Sequence, residues 1–284
     1  MQSPFRVQRI SNIGSTHPVV ARLGVQVSRL EQWIGLDEKP KQELVTLYAK
    51  TLTMRLLRCD ELRGQIVERL EGDIARVEKL TTSIPFVVGL DSLVESFLYD
   101  GKNFLRDLLN VTRIAFGCKL KDARAFADTN PALDGELTKW AIKKFGENAG
   151  FVNMLRNNAD WLRELIAKRN ASEHPGERSG VLTVNNVQGH PLIVGAFTMP
   201  TWSRDGAAPT EIVNDMDVLL GNLLELAEYM FLWVLAETKT SAHVAIFQIP
   251  EAERDPACPV RFRADLSPEL SAKLRAADVG TEKP

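Results

Sequence analysis

The side chains best suited to chemistry are concentrated in one short stretch, residues 169–174, which reads Arg-Asn-Ala-Ser-Glu-His. Asn170 and His174 are four residues apart, so on a helix they share a face, and Arg169 projects from the neighbouring strip. Pro175 disfavours a helical conformation for the residue before it, which predicts that the helix ends at His174. The sequence therefore predicts a patch of three polar groups at a helix C-terminus.

An imidazole, a guanidinium and an amide are groups that can cleave RNA without a metal. That reaction needs a base for the proton of the 2'-hydroxyl, a cation for the charge on the phosphorane and an acid for the leaving 5'-oxygen. One imidazole does not easily act as base and acid from one position in a single turnover, so a two-fold dimer with two copies of the patch would supply the second. RNA is the expected substrate, and a homodimer is the expected state.

The patch resembles the motif of the HEPN domain family, in which Arg, four to six further residues and then His close a helix of an all-helical bundle. Arg169, Asn170 and His174 match that motif, with four residues between the Arg and the His. The resemblance implies a metal-independent endoribonuclease that acts as a homodimer in toxin–antitoxin, antiphage or stress-response systems, with an antitoxin or sensor protein as a partner. It implies His174 as general base or acid, Arg169 as the cation at the phosphorane, and Asn170 as the group that orients phosphate or histidine.

Two residues beside the motif are further candidates for RNA binding. Lys168 and Arg178 lie close to it in sequence and would contact phosphates. No cofactor is expected, because the chain has no glycine-rich phosphate loop. No metal is expected either, because His17, His190 and His243 have no second ligand at metal spacing.

Two other interpretations of residues 169–174 stay open. In the first, the stretch is an ordinary helix end, where Arg169 and His174 complement the helix dipole and Asn170 caps a carbonyl. In the second, the chain is a non-catalytic HEPN-like module that binds RNA, nucleotides or a partner protein without cutting. The position of a second copy of His174 would distinguish these interpretations from a nuclease.

Two long amphipathic helices are predicted upstream of the motif. Apolar residues recur every three to five positions over 44–77, and a second apolar stripe covers 90–115 and ends near Gly117. The short turn at 83–85 makes the two helices antiparallel. The second helix also carries a polar strip that could face the motif across the bundle, although we interpret it as a solvated face. Its members are Asp100, Lys102, Asn103 and Arg106.

The predicted fold class is mainly α, an HEPN-like helical bundle with an inserted β-hairpin and a small C-terminal β segment. The remaining predicted elements are helices at 131–145, 151–173 and 210–237, hairpin strands at 181–187 and 192–199 around a turn at 188–191, and strands at 242–249 and 259–266. We expect the last two strands to join the hairpin. The predicted organisation is an N-terminal arm at 1–23, the bundle at 24–240 with the insertion at 176–208, and a C-terminal β segment and tail at 241–284.

Composition places the chain among globular proteins of a reducing compartment. Its 284 residues are 44% hydrophobic, and 35 basic against 37 acidic residues give a net charge of -2. No global field therefore attracts nucleic acid or membrane, and RNA binding must be local. The three cysteines are odd in number and far apart, which is typical of free thiols. With no signal-peptide stretch at the start and no long apolar run, we expect a cytoplasmic protein without a membrane partner.

Overall fold

The structure is a computed structural model, and the residues that it describes are 13–77, 83–190, 196–267 and 270. Of the described residues, 62% are helical and 11% lie in strands, and the strands form small antiparallel sheets. The predicted class, mainly α with small β additions, is confirmed at this level.

The chain divides into two compact units, each assembled from separate stretches of sequence. The first comprises the described parts of Met1–Met54, Val111–Gly117 and Ala227–Pro284. The second comprises the described parts of Arg55–Asn110 and Cys118–Leu226, and it contains the whole of the predicted motif.

Helices account for most of the described residues. The α-helices are α1 (Gln26–Leu30), α2 (Glu38–Thr46), α3 (Thr53–Val77), α4 (Leu90–Phe116), α5 (Glu136–Phe145), α6 (Gly150–Glu173) and α7 (Ile212–Thr238). The π-helical segments are Val20–Val25 and Leu47–Leu52, and the 3₁₀ segments are Glu31–Trp33, Ala123–Phe126 and Glu251–Glu253.

The strands are short. They are β1 (Leu182–Asn185), β2 (Gln188–Gly189), β3 (Phe197–Thr198), β4 (Thr201–Arg204), β5 (Thr210–Glu211), β6 (Val244–Gln248) and β7 (Phe262–Leu266). They form a three-stranded sheet in the order β1-β4-β5 and two antiparallel pairs, β2-β3 and β6-β7.

The two long helices predicted upstream of the motif are present. The first apolar stripe continues without interruption through α2, the π-helical segment Leu47–Leu52 and α3. At the end of the π-helical segment, the hydroxyl of Thr53 donates to the carbonyl of Tyr48 at 2.8 Å, which satisfies an acceptor at the widened turn. The second stripe is α4, and Gly117 ends it with a φ of 73° while its N–H donates to the carbonyl of Arg113.

The helix predicted at 131–145 begins five residues later, at Glu136. The side chain of Asn130 accepts a hydrogen bond from the N–H of Ala132 at 3.0 Å, so this stretch forms a turn instead. At Gly135 a Cβ atom would lie 2.7 Å from the carbonyl oxygen of Phe126, so the close approach requires glycine. The turn chemistry of these residues overrides the preference of proline for a first helical turn.

The predicted hairpin insertion exists, but its pairing differs from the prediction. The expected turn residues Gln188 and Gly189 form β2 and pair with Thr198 and Phe197 of β3. Strand β1 pairs with β4, which lies beyond the predicted second run, and residues 191–195 of that region lie outside the described residues. Thr210 and Glu211 form β5 and pair with β4, so the last helix begins at Ile212 rather than at residue 210.

Strands β6 and β7 pair with one another over five residue pairs in a sheet of their own, so they do not join the hairpin as expected. The backbone N–H and C=O groups on the facing edges of β6 and β7 bond to one another, so this pair forms without the strands of the insertion. The predicted tail beyond residue 270 lies outside the described residues.

The predicted N-terminal arm at 1–23 is helical in part. Residues 1–12 lie outside the described residues, but Val20–Val25 is π-helical and its Ala21 and Leu23 are fully buried. Within the first unit, Arg22 forms an ion pair with the buried carboxylate of Glu228 at 2.6 Å. The buried side chains and this ion pair hold the end of the predicted arm within the first unit.

Helix α7 is apolar along most of its length. An 18-residue window within it has a mean hydropathy of 1.6, and 56% of that window is buried. By length and composition α7 could cross a bilayer, and the core helix of a soluble protein has the same character.

Candidate functional site

The motif closes α6 as the sequence predicts. Helix α6 runs to Glu173, and the N–H of His174 donates to the carbonyl of Asn170 at 2.9 Å. His174 has left the helical conformation, with φ at -131° and ψ at 68°, and Pro175 follows it. Its imidazole is 54% exposed, so a ligand can reach the ring.

Glu173 links the two side chains that the motif pairs. Its carboxylate oxygen Oε2 forms an ion pair with Nη1 of Arg169, one helical turn away, and lies 3.2 Å from Nε2 of His174. The guanidinium and the imidazole therefore meet at one oxygen atom. Any anion placed at that oxygen would contact both groups.

Arg169 is held in a fixed environment. Its side chain is only 13% exposed, and its guanidinium carbon lies 5.8 Å from the ring centre of Tyr99 on α4. Burial lowers the pKa of Arg169 from its ordinary value, and the nearby Tyr99 opposes this. An arginine remains protonated in proteins, so the site keeps a positive charge.

Asn170 faces α4 rather than open solvent. Its side-chain oxygen accepts a hydrogen bond from Nζ of Lys102 at 2.6 Å. Burial and the neighbouring charge of Arg169 lower the pKa of Lys102, whereas Asp122 raises it. Lys102 thus brings a second cation close to Arg169.

The interpretation of the polar strip on α4 as a solvated face is wrong for part of the strip. Lys102 bonds to Asn170, and Asn103 is 7% exposed, whereas Arg106 faces solvent. The strip therefore lies partly against α6.

A surface cleft of about 510 Å³ adjoins the motif. Its lining residues come from α3, α4 and α6, and all of them belong to the second unit. The lining residues are Arg58, Glu95, Ser96, Tyr99, Asp100, Arg169, Ser172 and Glu173. Of the predicted catalytic residues, Arg169 belongs to the lining.

Most charged groups of the cleft already have partners of opposite charge. Asp100 pairs with Arg55 at 3.2 Å, Arg58 pairs with Glu61 at 2.8 Å, and Glu173 pairs with Arg169. Within residues 13–77, 83–190 and 196–267, the carboxylate of Glu95 has no hydrogen bond or ion pair. It is exposed in the cleft and open to a ligand.

The structure does not bring Lys168 into this cleft. Lys168 is 8% exposed, its ammonium group lies 3.2 Å from Asp215, and it stands 4.5 Å from the ring centre of Trp202. These contacts attach the β insertion to α6 and α7. Arg178 is exposed in the turn four residues beyond His174.

The sequence analysis missed the parts played by Tyr99 and Glu173, and it interpreted Lys102 as part of a solvated face. Tyr99 is an aromatic residue outside the apolar stripe of α4, and it is 53% exposed. Glu173 is four residues from Arg169, which is the spacing of a helical ion pair. Those two signals were present in the sequence, whereas the contact of Lys102 with Asn170 spans 68 residues and depends on how the helices pack.

Comparison with known proteins found no match for this chain among family models, curated proteins or solved structures.

Proposed function

We propose that this protein is a metal-independent endoribonuclease of HEPN type that acts as a homodimer. One observation carries the proposal: Arg169 and His174 both contact a single carboxylate oxygen of Glu173. A carboxylate and a phosphate oxygen accept similar charge-assisted hydrogen bonds, so the oxygen marks where a phosphate would bind. The resemblance of Arg169, Asn170 and His174 to the HEPN motif supports the same reaction.

In this proposal the scissile phosphate of RNA displaces Glu173. The Glu173 side chain is 43% exposed, so its carboxylate can move into solvent without being buried elsewhere. Arg169 then contacts the non-bridging phosphate oxygens, and Lys102 adds positive charge beside it. Asn170 is held by Lys102 and sets the position of the last turn of α6.

The proposed reaction gives each of these groups a step. His174 of one copy takes the proton of the 2'-hydroxyl, the 2'-oxygen bonds to phosphorus, and Arg169 stabilises the charge on the phosphorane. The bond from phosphorus to the 5'-oxygen breaks, and that oxygen receives a proton from His174 of the second copy. The products are a 2',3'-cyclic phosphate end and a 5'-hydroxyl end.

The direct test is incubation of the purified protein with mixed RNA in excess chelator. We expect cleavage that leaves 2',3'-cyclic phosphate ends and is lost in His174→Ala and in Arg169→Ala. His243→Ala is the matched control, because His243 is an exposed histidine in the other unit. This variant should cleave RNA like the wild type. Intact RNA after incubation with the folded wild type would contradict the proposal. RNA binding without cleavage would identify a non-catalytic binding module instead.

A mixed dimer tests the role of the second copy. Wild-type and His174→Ala chains carrying different tags are co-expressed, and the mixed dimer is isolated through both tags. If two imidazoles serve one site, the mixed dimer should be nearly as inactive as the mutant homodimer. Half of the wild-type activity would mean that each copy acts alone.

A further inference from the structure

We propose that the cleft beside Arg169 is a guanine-binding subsite, in which the base stacks on Tyr99 and its Watson–Crick edge binds the carboxylate of Glu95. This inference rests on the proposed nuclease, since it names the base next to the phosphate that Arg169 contacts. Three features of the cleft carry it: an exposed aromatic ring, a carboxylate that has no partner among the described residues, and continuity with the phosphate position.

The ring of Tyr99 provides the stacking surface. It is 53% exposed and lines the cleft, although most large side chains of α4 are buried. The guanidinium of Arg169 lies 5.8 Å from its ring centre, which restrains the ring. Exposed aromatic rings beside arginine groups are typical surfaces for unpaired nucleic-acid bases.

The carboxylate of Glu95 provides base selectivity. Glu95 precedes Tyr99 by four residues on α4, so both side chains project from one face towards the cleft. A carboxylate is an acceptor with two oxygens, and guanine presents two adjacent donors, N1–H and the 2-amino group. Adenine, cytosine and uracil each present an acceptor on the corresponding edge, which a carboxylate repels.

The cleft is continuous with the proposed phosphate position. Arg169 and Glu173 line the cleft and also form the contact that marks the phosphate. A base on Tyr99 and the scissile phosphate would therefore belong to neighbouring parts of one nucleotide chain. The cleft volume of about 510 Å³ is large enough for a base and its ribose.

Binding of nucleotides tests the subsite without requiring cleavage. The probes are the 3'-monophosphates of guanosine, inosine and adenosine, titrated calorimetrically into the full chain. Inosine lacks the 2-amino group, so we expect it to bind about tenfold more weakly than guanosine, with adenosine weaker still. Equal affinity for the three nucleotides would overturn the inference.

Variants assign the selectivity to its residues. Glu95→Gln should abolish the preference for guanosine, because an amide offers one acceptor and one donor. Tyr99→Leu should lower the affinity for all three nucleotides alike, whereas Tyr99→Phe should keep the wild-type affinity. Glu68→Gln is the matched control, since Glu68 is exposed on α3, outside the cleft, and its loss should change nothing. An unchanged guanosine preference in Glu95→Gln would also overturn the inference.

The two proposals fail in different ways. RNA cleavage with no bias towards guanine next to the cut would contradict the proposed subsite but not the proposed nuclease activity. Selective binding of guanosine monophosphate by a protein that leaves RNA intact would contradict the proposed nuclease activity but not the subsite.

Discussion

Lys102 on α4 donates a hydrogen bond to the side-chain oxygen of Asn170 on α6, with 2.6 Å between the two atoms. The contact holds an ammonium group near the guanidinium of Arg169, which helps to lower the pKa of Lys102. Two like charges are rarely kept close together in a partly buried place unless an anion compensates them. Glu173 compensates Arg169 in the structure and Asp122 partly compensates Lys102, and a phosphate would lie close to both cations.

Replacing Lys102 should therefore weaken RNA binding. Lys102→Met removes one charge near the phosphate, so we expect lower affinity for RNA of any sequence and a decrease of about one in the slope of log K against log salt. Binding is measured by fluorescence anisotropy from 50 to 300 mM salt. Lys143→Met, at an exposed position of α5, is the control and should keep the wild-type slope. An unchanged slope in Lys102→Met would place Lys102 outside the RNA site.

Glu173→Gln should bind RNA more tightly. In the proposed mechanism the phosphate must displace the Glu173 carboxylate from Arg169 and His174, and a neutral amide competes less well. We expect KM to fall several-fold with little change in kcat, as measured in steady-state cleavage assays. Glu177→Gln makes the same charge change at an exposed site nearby and should have a much smaller effect. A large fall in kcat for Glu173→Gln would show instead that the carboxylate positions His174.

The helix end that carries the motif could be predicted because its cause is local. Pro175 acts on the residue before it, and His174 accordingly caps α6. The apolar stripe of α4 and its terminating glycine are equally local, and they predict that helix to within a residue. These elements position Arg169 and His174.

The partners of the motif could not be predicted in the same way. The contact of Lys102 with Asn170 depends on the packing of two helices, and the amphipathic pattern of α4 alone is equally consistent with a solvated lysine. The predicted strand pairing of the hairpin was wrong for a related reason. A shift in pairing changes which residues face inwards, and Trp202 of β4 is fully buried although it lies beyond the predicted strands.

Lys168→Met should lower stability and leave RNA affinity unchanged. The ammonium group of Lys168 is buried, pairs with Asp215 and lies over the ring of Trp202. These contacts attach the β insertion to α6 and α7. Removing it leaves Asp215 without its cation, which should cost about 2 kcal/mol of unfolding free energy. Urea denaturation measures the cost, with Lys143→Met as the control. A loss of RNA affinity with unchanged stability would restore Lys168 as a phosphate contact.

The stability that depends on Asp215 should be lost in acid. Burial alone would raise the pKa of Asp215, but hydrogen bonds from Thr210 and Trp202 and the charge of Lys168 outweigh it, so the pKa is lowered. Between the folded pKa and the ordinary value of about 4, the unfolded chain binds more protons than the folded one. The contribution is therefore complete above pH of about 4 and falls as the pH drops through the folded pKa.

Asp215→Asn tests that sign. At pH 7 the variant should be less stable than the wild type by about 2 kcal/mol, because an amide is a weaker acceptor for three donors. The difference should shrink below pH of about 4, where the carboxyl of Asp215 becomes protonated first in the unfolded wild-type chain. Urea denaturation of both proteins from pH 3 to pH 7 measures it. A difference that stays constant over this range would mean that the charge of Asp215 contributes nothing.

The cysteines should differ sharply in their reactivity towards a thiol reagent. Cys59 and Cys118 are buried, whereas Cys258 is partly exposed. Burial, and to a smaller extent the charge of Asp100, raises the pKa of Cys59 well above its ordinary value, so little of the reactive thiolate is present. With Ellman's reagent we expect one fast thiol in the folded protein and three in urea, and the fast reaction should disappear in Cys258→Ser. Two or more fast thiols in the folded wild type would mean that the core around Cys59 or Cys118 opens readily.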